Sequence, residues 1–313
     1  MPAFLSTKEL ARPERVHIPI DGMHIVGHLY RPPDYRPGQR YAALAIAGSL
    51  TSVKEQMGGI YASQMARRGI MGLAIDYRNF GESGGDARQY EDPASKSQDL
   101  SAAVAYLASR PDVEPGRVGL LGVCTTGANV IQAAARDPKV RAVAAVAGHY
   151  AEPSYAPTFY ASMFDTGPEI VDRFRREGRS ARALYERTGE NMLVLAYSNT
   201  ERTASHFGPM PYYMDPSRGG GVPQWRNAFA VMSWEPWLSF DPVADASRVG
   251  VPTLLVHSDG CVMPDQARKV FDLLGGRKSL HWADGDHFQF YDDPEKVGEA
   301  ADTAAEHFRK YLA

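Results

Sequence analysis

One cysteine stands in a setting that is suited to covalent chemistry. Cys124 follows an apolar run that ends at Val123 and precedes a helix-like segment, and Gly122 and Gly127 stand close on either side. Small neighbours permit the strand, tight turn and helix of a nucleophile elbow, in which the reactive atom stands clear of the backbone. A helix N-terminus beside the sulfur would favour the thiolate, which is the nucleophilic form. The motif predicts acyl transfer through a thioester, although a free cysteine at a strand end is also a common core residue.

An acid and a histidine follow later in the chain, in the order that this chemistry requires. Asp259 comes just after the apolar segment Pro252 to His257, and His287 lies in a loop after the segment Ser279 to Trp282. Both should emerge at the same edge of a sheet as Cys124. We therefore predict that Cys124, Asp259 and His287 form a catalytic triad.

Other acids and histidines compete for these roles. Asp241 and Asp265 are typical of helix starts or turns, and Asp245 lies in the same region. Among the nine histidines, His149 ends a predicted strand and is the runner-up base, but it precedes the acid in the chain.

The developing oxyanion requires two hydrogen-bond donors. The backbone N–H of Thr125, directly after the nucleophile, is the first candidate. The second should come from the loop that begins at Gly48, from either Ser49 or Leu50. Backbone donors are insensitive to side-chain type, so both positions stay open.

The elements that must position these residues alternate between strand and helix. After an opening hairpin, the pattern predicts a mostly parallel, doubly wound sheet of the α/β class. The predicted strands are Val16–Ile20, His24–Tyr30, Ala42–Ala47, Met71–Ile75, Val118–Leu121, Ala142–Val146, Pro252–His257 and Ser279–Trp282. The predicted helices between and after them are Glu55–Arg68, Pro93–Ser109, Gly127–Arg136, Pro264–Leu274 and Pro294–Leu312.

An aromatic-rich segment interrupts this alternation at residues 150–241. It shows helix-like stretches at Pro168–Glu177 and Ser180–Arg187, no clear buried strand, and a glycine run, Arg218–Gly221, that suggests a mobile loop. We predict a cap inserted into a core formed by residues 1–149 and 242–313. The candidate substrate contacts in and beside it are His149, Tyr150, Phe159, Tyr160 and Trp234.

Composition excludes several other classes of function. The chain has 313 residues, a formal net charge of −3 and a sequence pI of about 6.3, without the basic runs that a nucleic-acid partner would need. The chain contains no run of about 18 apolar residues, so no membrane span is predicted. Two widely spaced cysteines predict a reduced, cytoplasmic protein, and no motif calls for a metal or another cofactor. A homodimer is a possible assembly that the sequence does not decide.

Four stretches resemble the dienelactone-hydrolase-like branch of the α/β-hydrolases. They are Ser52–Gln56, Asp76–Gly85, the segment around Cys124, and Asp286–Asp292. More narrowly, they are similar to uncharacterised bacterial hydrolases and to fungal polyketide-pathway transferases that bear a cysteine nucleophile. The resemblance covers about residues 15–148 and 250–312. It implies an α/β-hydrolase fold with an inserted helical cap, and a Cys-Asp-His triad at the three positions named above.

These observations predict a cysteine-dependent hydrolase that acts on an ester, thioester or lactone with a bulky apolar or aromatic acyl group. The first alternative is an acyltransferase that passes the acyl group to an acceptor other than water in a secondary-metabolite pathway. A non-catalytic ligand-binding protein on the same scaffold is a second alternative, because fold does not dictate function. A redox-responsive pair of Cys124 and Cys261 is a third.

Overall fold

A computed structural model describes residues 4–9 and 12–313 of the chain. The strands are β1 Glu14–Ile20, β2 Met23–Tyr30, β3 Tyr41–Ala47, β4 Met71–Ile75, β5 Val113–Val123, β6 Val143–Val146, β7 Leu193–Val194, β8 Tyr197–Ser198, β9 His206–Phe207, β10 Phe229–Ala230, β11 Thr253–His257 and β12 Lys278–Trp282. The α-helices are α1 Met57–Arg67, α2 Pro93–Ser109, α3 Thr125–Ala134, α4 Ala156–Phe164, α5 Ile170–Thr188, α6 Pro211–Met214, α7 Trp234–Ser239, α8 Pro242–Ala246, α9 Pro264–Leu273, α10 Gln289–Asp292 and α11 Pro294–Tyr311. Short 3₁₀ turns lie at Thr7–Glu9, Gly219–Gly221 and Val231–Ser233.

Eight strands form one sheet in the order β1-β2-β4-β3-β5-β6-β11-β12. The hairpin partners β1 and β2 are antiparallel, β2 runs antiparallel to β4, and all later neighbours are parallel. Left-handed Asp21 and Gly22, with φ of 48° and 78°, form the two-residue turn of the hairpin. The predicted hairpin and the mostly parallel, doubly wound sheet are confirmed.

The central strands are covered by helices on both faces. Every residue of β3, β4 and β11 is buried, which explains why these segments are continuous apolar runs rather than alternating ones. At Gly72 a Cβ would lie 2.4 Å from the carbonyl oxygen of Ala62, so α1 rests directly on β4. The carboxyl ends of β3, β5 and β11 therefore meet at one edge of a tightly packed sheet.

The segment between β6 and β11 contains more regular structure than the sequence pattern predicts. Its two predicted helices form the single helix α5, which continues through Gly178 because that residue packs against Trp234; a Cβ there would lie 3.0 Å from the Trp234 Cβ. Two small two-stranded sheets, β7 with β10 and β8 with β9, were not predicted, since two residues are too few to show a strand period. The division into core and cap at residues 150 and 241 stays a prediction.

The glycine run of this segment is packed rather than loose. Gly219 lies against the ring of Tyr212, where a Cβ would meet the ring at 2.0 Å, and its carbonyl accepts a hydrogen bond of 2.9 Å from Gln56. The neighbouring guanidinium of Arg218 bonds both carboxylate oxygens of Asp292, at 2.6 and 2.9 Å. The segment is a packed 3₁₀ turn whose glycines permit close contacts, and the mobility predicted for Arg218–Gly221 stays a prediction.

A buried ammonium group organises the loop after β4. Nζ of Lys54 is fully buried and lies 2.8 Å from Asp76 and 2.7 Å from each of Glu55 and Glu82. Together with His28, these two glutamates are the one metal-like cluster found among the described residues, but the ammonium already supplies their positive charge. Asp76 also accepts the backbone N–H of Lys54 at 2.7 Å, as expected for a loop-fixing residue.

In the described parts of the chain, none of the helices is both long and apolar enough to cross a bilayer.

Candidate active site

Cys124 occupies a strained turn between β5 and α3. Its φ of 57° and ψ of −120° are unusual for a residue other than glycine, and such strain is concentrated at functional sites. Its N–H donates to Val146, and its carbonyl accepts from Gly127 at 2.8 Å and from His149 at 3.0 Å. At Gly122 a Cβ would lie 2.4 Å from the carbonyl oxygen of Thr126, so the turn leaves no room for bulk. The predicted nucleophile-elbow geometry is present.

Cys124 lines a partly open, largely apolar cavity of about 190 Å³. The lining residues are Leu50, Cys124, Thr125, His149, Phe159, Met163, Tyr197, His206, Pro209, Met210, Tyr213, Val262, His287, Phe288 and Tyr291. Within residues 4–9 and 12–313, no lysine, arginine, aspartate or glutamate lines this cavity. It is therefore suited to an apolar ligand with a few polar atoms.

A tyrosine joins the candidate base to the candidate nucleophile. The Tyr291 hydroxyl lies 3.0 Å from Nε2 of His287, and it also adjoins the Cys124 thiol, whose pKa it lowers. Tyr291 is one helical turn beyond His287, which brings the two side chains to the same side of the chain. The sequence reasoning missed Tyr291, although its spacing of four residues from the predicted base was a usable signal.

Burial keeps this pair neutral. It raises the pKa of the Cys124 thiol to about 12, although the Tyr291 hydroxyl and the backbone N–H of Thr125 act in the opposite direction. Burial also lowers the pKa of His287 to about 3. The charged form of each group is the one that loses hydration, so the resting site holds a thiol and a neutral imidazole. A preformed thiolate–imidazolium pair is not what this environment favours.

The structure does not bring Asp259 to His287. The Asp259 side chain is 74% exposed, and its carboxylate lies 2.6 Å from Arg268, whose guanidinium stacks 3.9 Å from the centre of the Trp282 ring. The imidazole Nδ1 instead faces the backbone N–H of Val262 at 3.4 Å. The predicted contact between acid and histidine is absent from this structure, because Asp259 points to solvent after β11.

The competing acids do not fill the place of Asp259. Asp241 caps α8 through the N–H of Ala244, as its sequence context indicates. Asp245 is buried and accepts hydrogen bonds from Gln132 and from arginines, and Asp265 is exposed beside Arg268. None of these three carboxylates bonds to His287.

The candidate oxyanion donors lie at the top of β3 and β5. Thr125 and Leu50 both line the cavity, and the Thr125 backbone N–H reaches the sulfur. Ser49 is not on the cavity wall; its hydroxyl pairs with that of Tyr213. Leu50 is thus on the cavity wall and Ser49 is not, and the choice between their backbone N–H groups stays a prediction.

Two further tyrosines, Tyr197 and Tyr213, hold the candidate oxyanion loop from the inserted segment. Their rings stack 3.8 Å apart, and the Tyr197 hydroxyl donates to the Leu50 carbonyl at 3.0 Å. On the other side of this loop, the buried Glu91 carboxylate accepts the N–H of Thr51 at 3.2 Å. The sequence reasoning did not assign these contacts, because each partner is more than 30 residues away in the chain.

The structure separates the predicted cap contacts into two groups. His149 and Phe159 line the cavity. Tyr150, Tyr160 and Trp234 are buried behind it: Trp234 stacks on Phe174 at 4.1 Å, and the Tyr160 hydroxyl accepts a 2.7 Å bond from Trp237. These three aromatics serve packing, which is the commoner use of buried aromatic residues.

Comparison with known proteins identifies relatives of this architecture. The family model described as X-Pro dipeptidyl-peptidase (S15 family) matches residues 21–289. The solved structure of the hypothetical protein PA2218 from Pseudomonas aeruginosa superposes with a TM-score of 0.83 at 24% identity, over 99% of this chain and 96% of that one. The α/β-hydrolase fold is thereby confirmed. In sequence, the match to PA2218 is 40% identical but covers only 39% of this chain and 33% of that protein.

Two fungal proteins match over most of both chains. Polyketide transferase claH of Penicillium crustosum is 28% identical over 86% of this chain and 88% of its own length. Thiohydrolase aneE of Aspergillus aculeatus is 27% identical over 84% and 82%, respectively. The predicted similarity to fungal polyketide-pathway transferases and uncharacterised bacterial proteins is confirmed; one of the two fungal relatives is named a transferase and the other a thiohydrolase.

The neutral resting site predicts how Cys124 reacts. In a Cys261→Ala background, alkylation by iodoacetamide should be slow at pH 7 and should rise about tenfold per pH unit to pH 10, because only the thiolate attacks. Tyr291→Phe should slow alkylation further, by roughly tenfold for a one-unit rise in the thiol pKa. The rate is measured by mass spectrometry, with Tyr106→Phe as the control. A rate that is already flat between pH 6 and 8 would show a preformed ion pair instead.

Proposed function

We propose that this chain, which belongs to the X-Pro dipeptidyl-peptidase (S15) family, is a cysteine-dependent hydrolase of esters or thioesters with an apolar acyl group. The observation that carries the proposal is the strained Cys124 on the wall of a largely apolar cavity, beside the Tyr291 hydroxyl that lies 3.0 Å from Nε2 of His287. A thioester donor agrees with the name thiohydrolase of one relative. That the chain belongs to a hydrolase family does not depend on the roles proposed here for these residues.

The Tyr291 hydroxyl supplies a path for the proton transfers of acylation. The Cys124 sulfur attacks the substrate carbonyl, its proton passes to the Tyr291 oxygen, and the Tyr291 proton passes to Nε2 of His287. The imidazolium then protonates the leaving thiol or alcohol, so the acyl group remains on sulfur. This relay requires the neutral imidazole to carry its proton on Nδ1. At rest Nδ1 accepts the Val262 N–H in a long hydrogen bond of 3.4 Å, so the imidazole proton must move from Nε2 to Nδ1 before the relay operates.

Oxyanion stabilisation is assigned to two backbone donors. The N–H of Thr125 and the N–H of Leu50 would bind the developing negative charge, inside a largely apolar cavity. Tyr197 and Tyr213 hold the Leu50 loop in place. Because such donors are prearranged, they require little reorganisation when the charge appears.

The acyl group that fits is apolar and compact. A cavity of about 190 Å³ is smaller than the roughly 300–1,000 Å³ typical of ligand pockets, and none of the described residues on its walls is a lysine, arginine, aspartate or glutamate. This favours a short or single-ring acyl group over the bulky one predicted from the aromatic content. Much of that aromatic content is buried behind the cavity.

Replacing Cys124 tests the covalent step. Cys124→Ala should reduce turnover of a p-nitrophenyl ester of a short apolar acid to the uncatalysed level, and no acyl adduct should appear in the acid-quenched protein. Cys261→Ala is the matched control, since Cys261 is also a buried free thiol. It should keep turnover within about threefold, as expected for a thiol outside the machinery. Full activity in Cys124→Ala would refute the proposal.

Replacing Asp259 tests whether an acid is needed. Asp259→Asn should change kcat/KM by no more than about threefold, because the carboxylate bonds to Arg268 and not to His287. Loss of the acid from a working triad costs about 10⁴-fold in kcat. His287→Asn, assayed in parallel, should lose about 10²-fold or more. A comparable loss in Asp259→Asn would mean that the carboxylate reaches His287 during turnover.

Acyl transfer to another acceptor is the second candidate function. Polyketide transferase claH matches this chain over nearly the same length as the thiohydrolase does, and an apolar cavity disfavours water. Adding a series of primary alcohols to a thioester assay separates the two functions. We expect free acid as the main product at every alcohol concentration; ester as the main product at millimolar alcohol would identify a transferase.

A further inference from the structure

His149 is a buried imidazole with an unused nitrogen that the acylation step does not employ. The residue is 7% exposed, and Nε2 has no hydrogen-bond partner among the residues that the structure describes. Its ring packs against Phe159 and Trp237, each at 5.6 Å between ring centres, and its backbone N–H donates to the Cys124 carbonyl at 3.0 Å. A buried polar atom without a partner is costly, and since His149 lines the cavity beside Cys124, a ligand there would supply the partner.

A second unused polar atom belongs to a residue on the same walls. Oγ1 of Thr125 is buried and, within residues 4–9 and 12–313, has no hydrogen-bond partner. Thr125 and His149 both line the main cavity and also a small niche beside it of about 10 Å³. The remaining walls of the niche are Ala128, Asn129, Ala151, Trp237 and Phe240. Its volume is about that needed for one water molecule, and two polar partners are enough to hold one.

We propose that this niche binds the acyl acceptor, that the acceptor is water, and that His149 is the base that activates it in deacylation. Oγ1 of Thr125 and Nε2 of His149 would hold the water beside the thioester on Cys124. The inference rests on the proposed function, since it concerns the second half of that reaction. It assigns the two proton transfers of the cycle to two different histidines.

The state of each imidazole supports this division. The ring of His149 is hydrogen-bonded to its own backbone, and burial lowers its pKa to about 4, so Nε2 is an unprotonated acceptor at neutral pH. His287 Nε2, by contrast, is engaged by the Tyr291 hydroxyl at 3.0 Å. The two rings make their contacts with different partners, Phe159 and Trp237 for one and Phe288 and Tyr291 for the other.

Deacylation requires no reactant other than the acyl-enzyme and water. The water oxygen forms a bond to the thioester carbonyl carbon while its proton moves to Nε2 of His149. The tetrahedral intermediate then collapses, the carbon–sulfur bond breaks, and its electron pair returns to the Cys124 sulfur. The proton on His149 passes to that sulfur, which restores the thiol and the neutral imidazole and releases the free acid.

The test separates acylation from deacylation with a p-nitrophenyl ester of a short apolar acid. In His149→Gln, the first equivalent of p-nitrophenolate should be released as fast as in the wild type, while steady-state release should fall by about 10²-fold or more. The acyl-enzyme should then accumulate on Cys124 in acid-quenched intact mass spectra. Thr125→Val, which removes Oγ1 but keeps the backbone donor, should show the same pattern with a smaller loss of about tenfold.

His307 provides a matched control on the distant helix α11. It is also 7% exposed, its Nε2 also has no partner within the described chain, and burial lowers its pKa to about 4, but it lines neither the cavity nor the niche. His307→Gln should keep both kinetic phases within about threefold of the wild type.

The outcomes distinguish the two proposals. Unchanged steady-state rates in both His149→Gln and Thr125→Val, or an equal loss of both kinetic phases, would overturn the role of His149 while leaving the Cys124 mechanism intact. Activity in Cys124→Ala would overturn the proposed function itself. If His149→Gln does not fold, Thr125→Val decides: accumulated acyl-enzyme supports the niche, and wild-type turnover refutes it.

Discussion

The strained turn at Cys124 is the constraint on which the rest of the site depends. A positive φ at a residue other than glycine costs of the order of 1–3 kcal/mol and persists only where the surroundings hold it. Here β5 and β6 fix the turn from below, and α3 begins directly after it. Contacts at Gly122 and Gly127 are too close for any side chain. The stability of a large parallel sheet offsets the strain and presents one sulfur to the cavity.

Burial determines the chemistry that this sulfur can perform. The cavity removes water from Cys124, His287 and His149 alike, and each is held in its neutral form. Proton transfers must then travel through short hydrogen bonds rather than through charged intermediates in solvent. The Tyr291 hydroxyl is the connecting atom that such a site requires. The neutral resting state of the three groups is therefore a result of their burial.

Charged groups in the interior have another use, which is to fix loops. Lys54 and Asp76 anchor the segments after β3 and β4, and the buried pair of Glu91 and Lys96 lies beneath Thr51. The inserted segment also contributes. The Tyr197 hydroxyl donates a hydrogen bond to the Leu50 carbonyl, and Arg218 pairs with Asp292, which follows the candidate base His287 in the chain. The candidate oxyanion loop and the histidine loop are thus held from both the core and the insertion. Such paired charges are costly to break, which makes them effective positioning devices.

The sequence by itself determined the elements whose signal is local. Apolar runs and small residues predicted the sheet, the elbow at Cys124 and the place of His287 in the chain, because strand periods and tight turns depend on near neighbours. Only the tertiary structure decided which side chains meet. Asp259 follows the correct strand yet pairs with Arg268, Tyr291 rather than a carboxylate bonds to Nε2 of His287, and Trp234 packs on Phe174 instead of facing the cavity. These outcomes depend on side-chain direction and on contacts between residues far apart in the chain, which residue type and spacing do not specify.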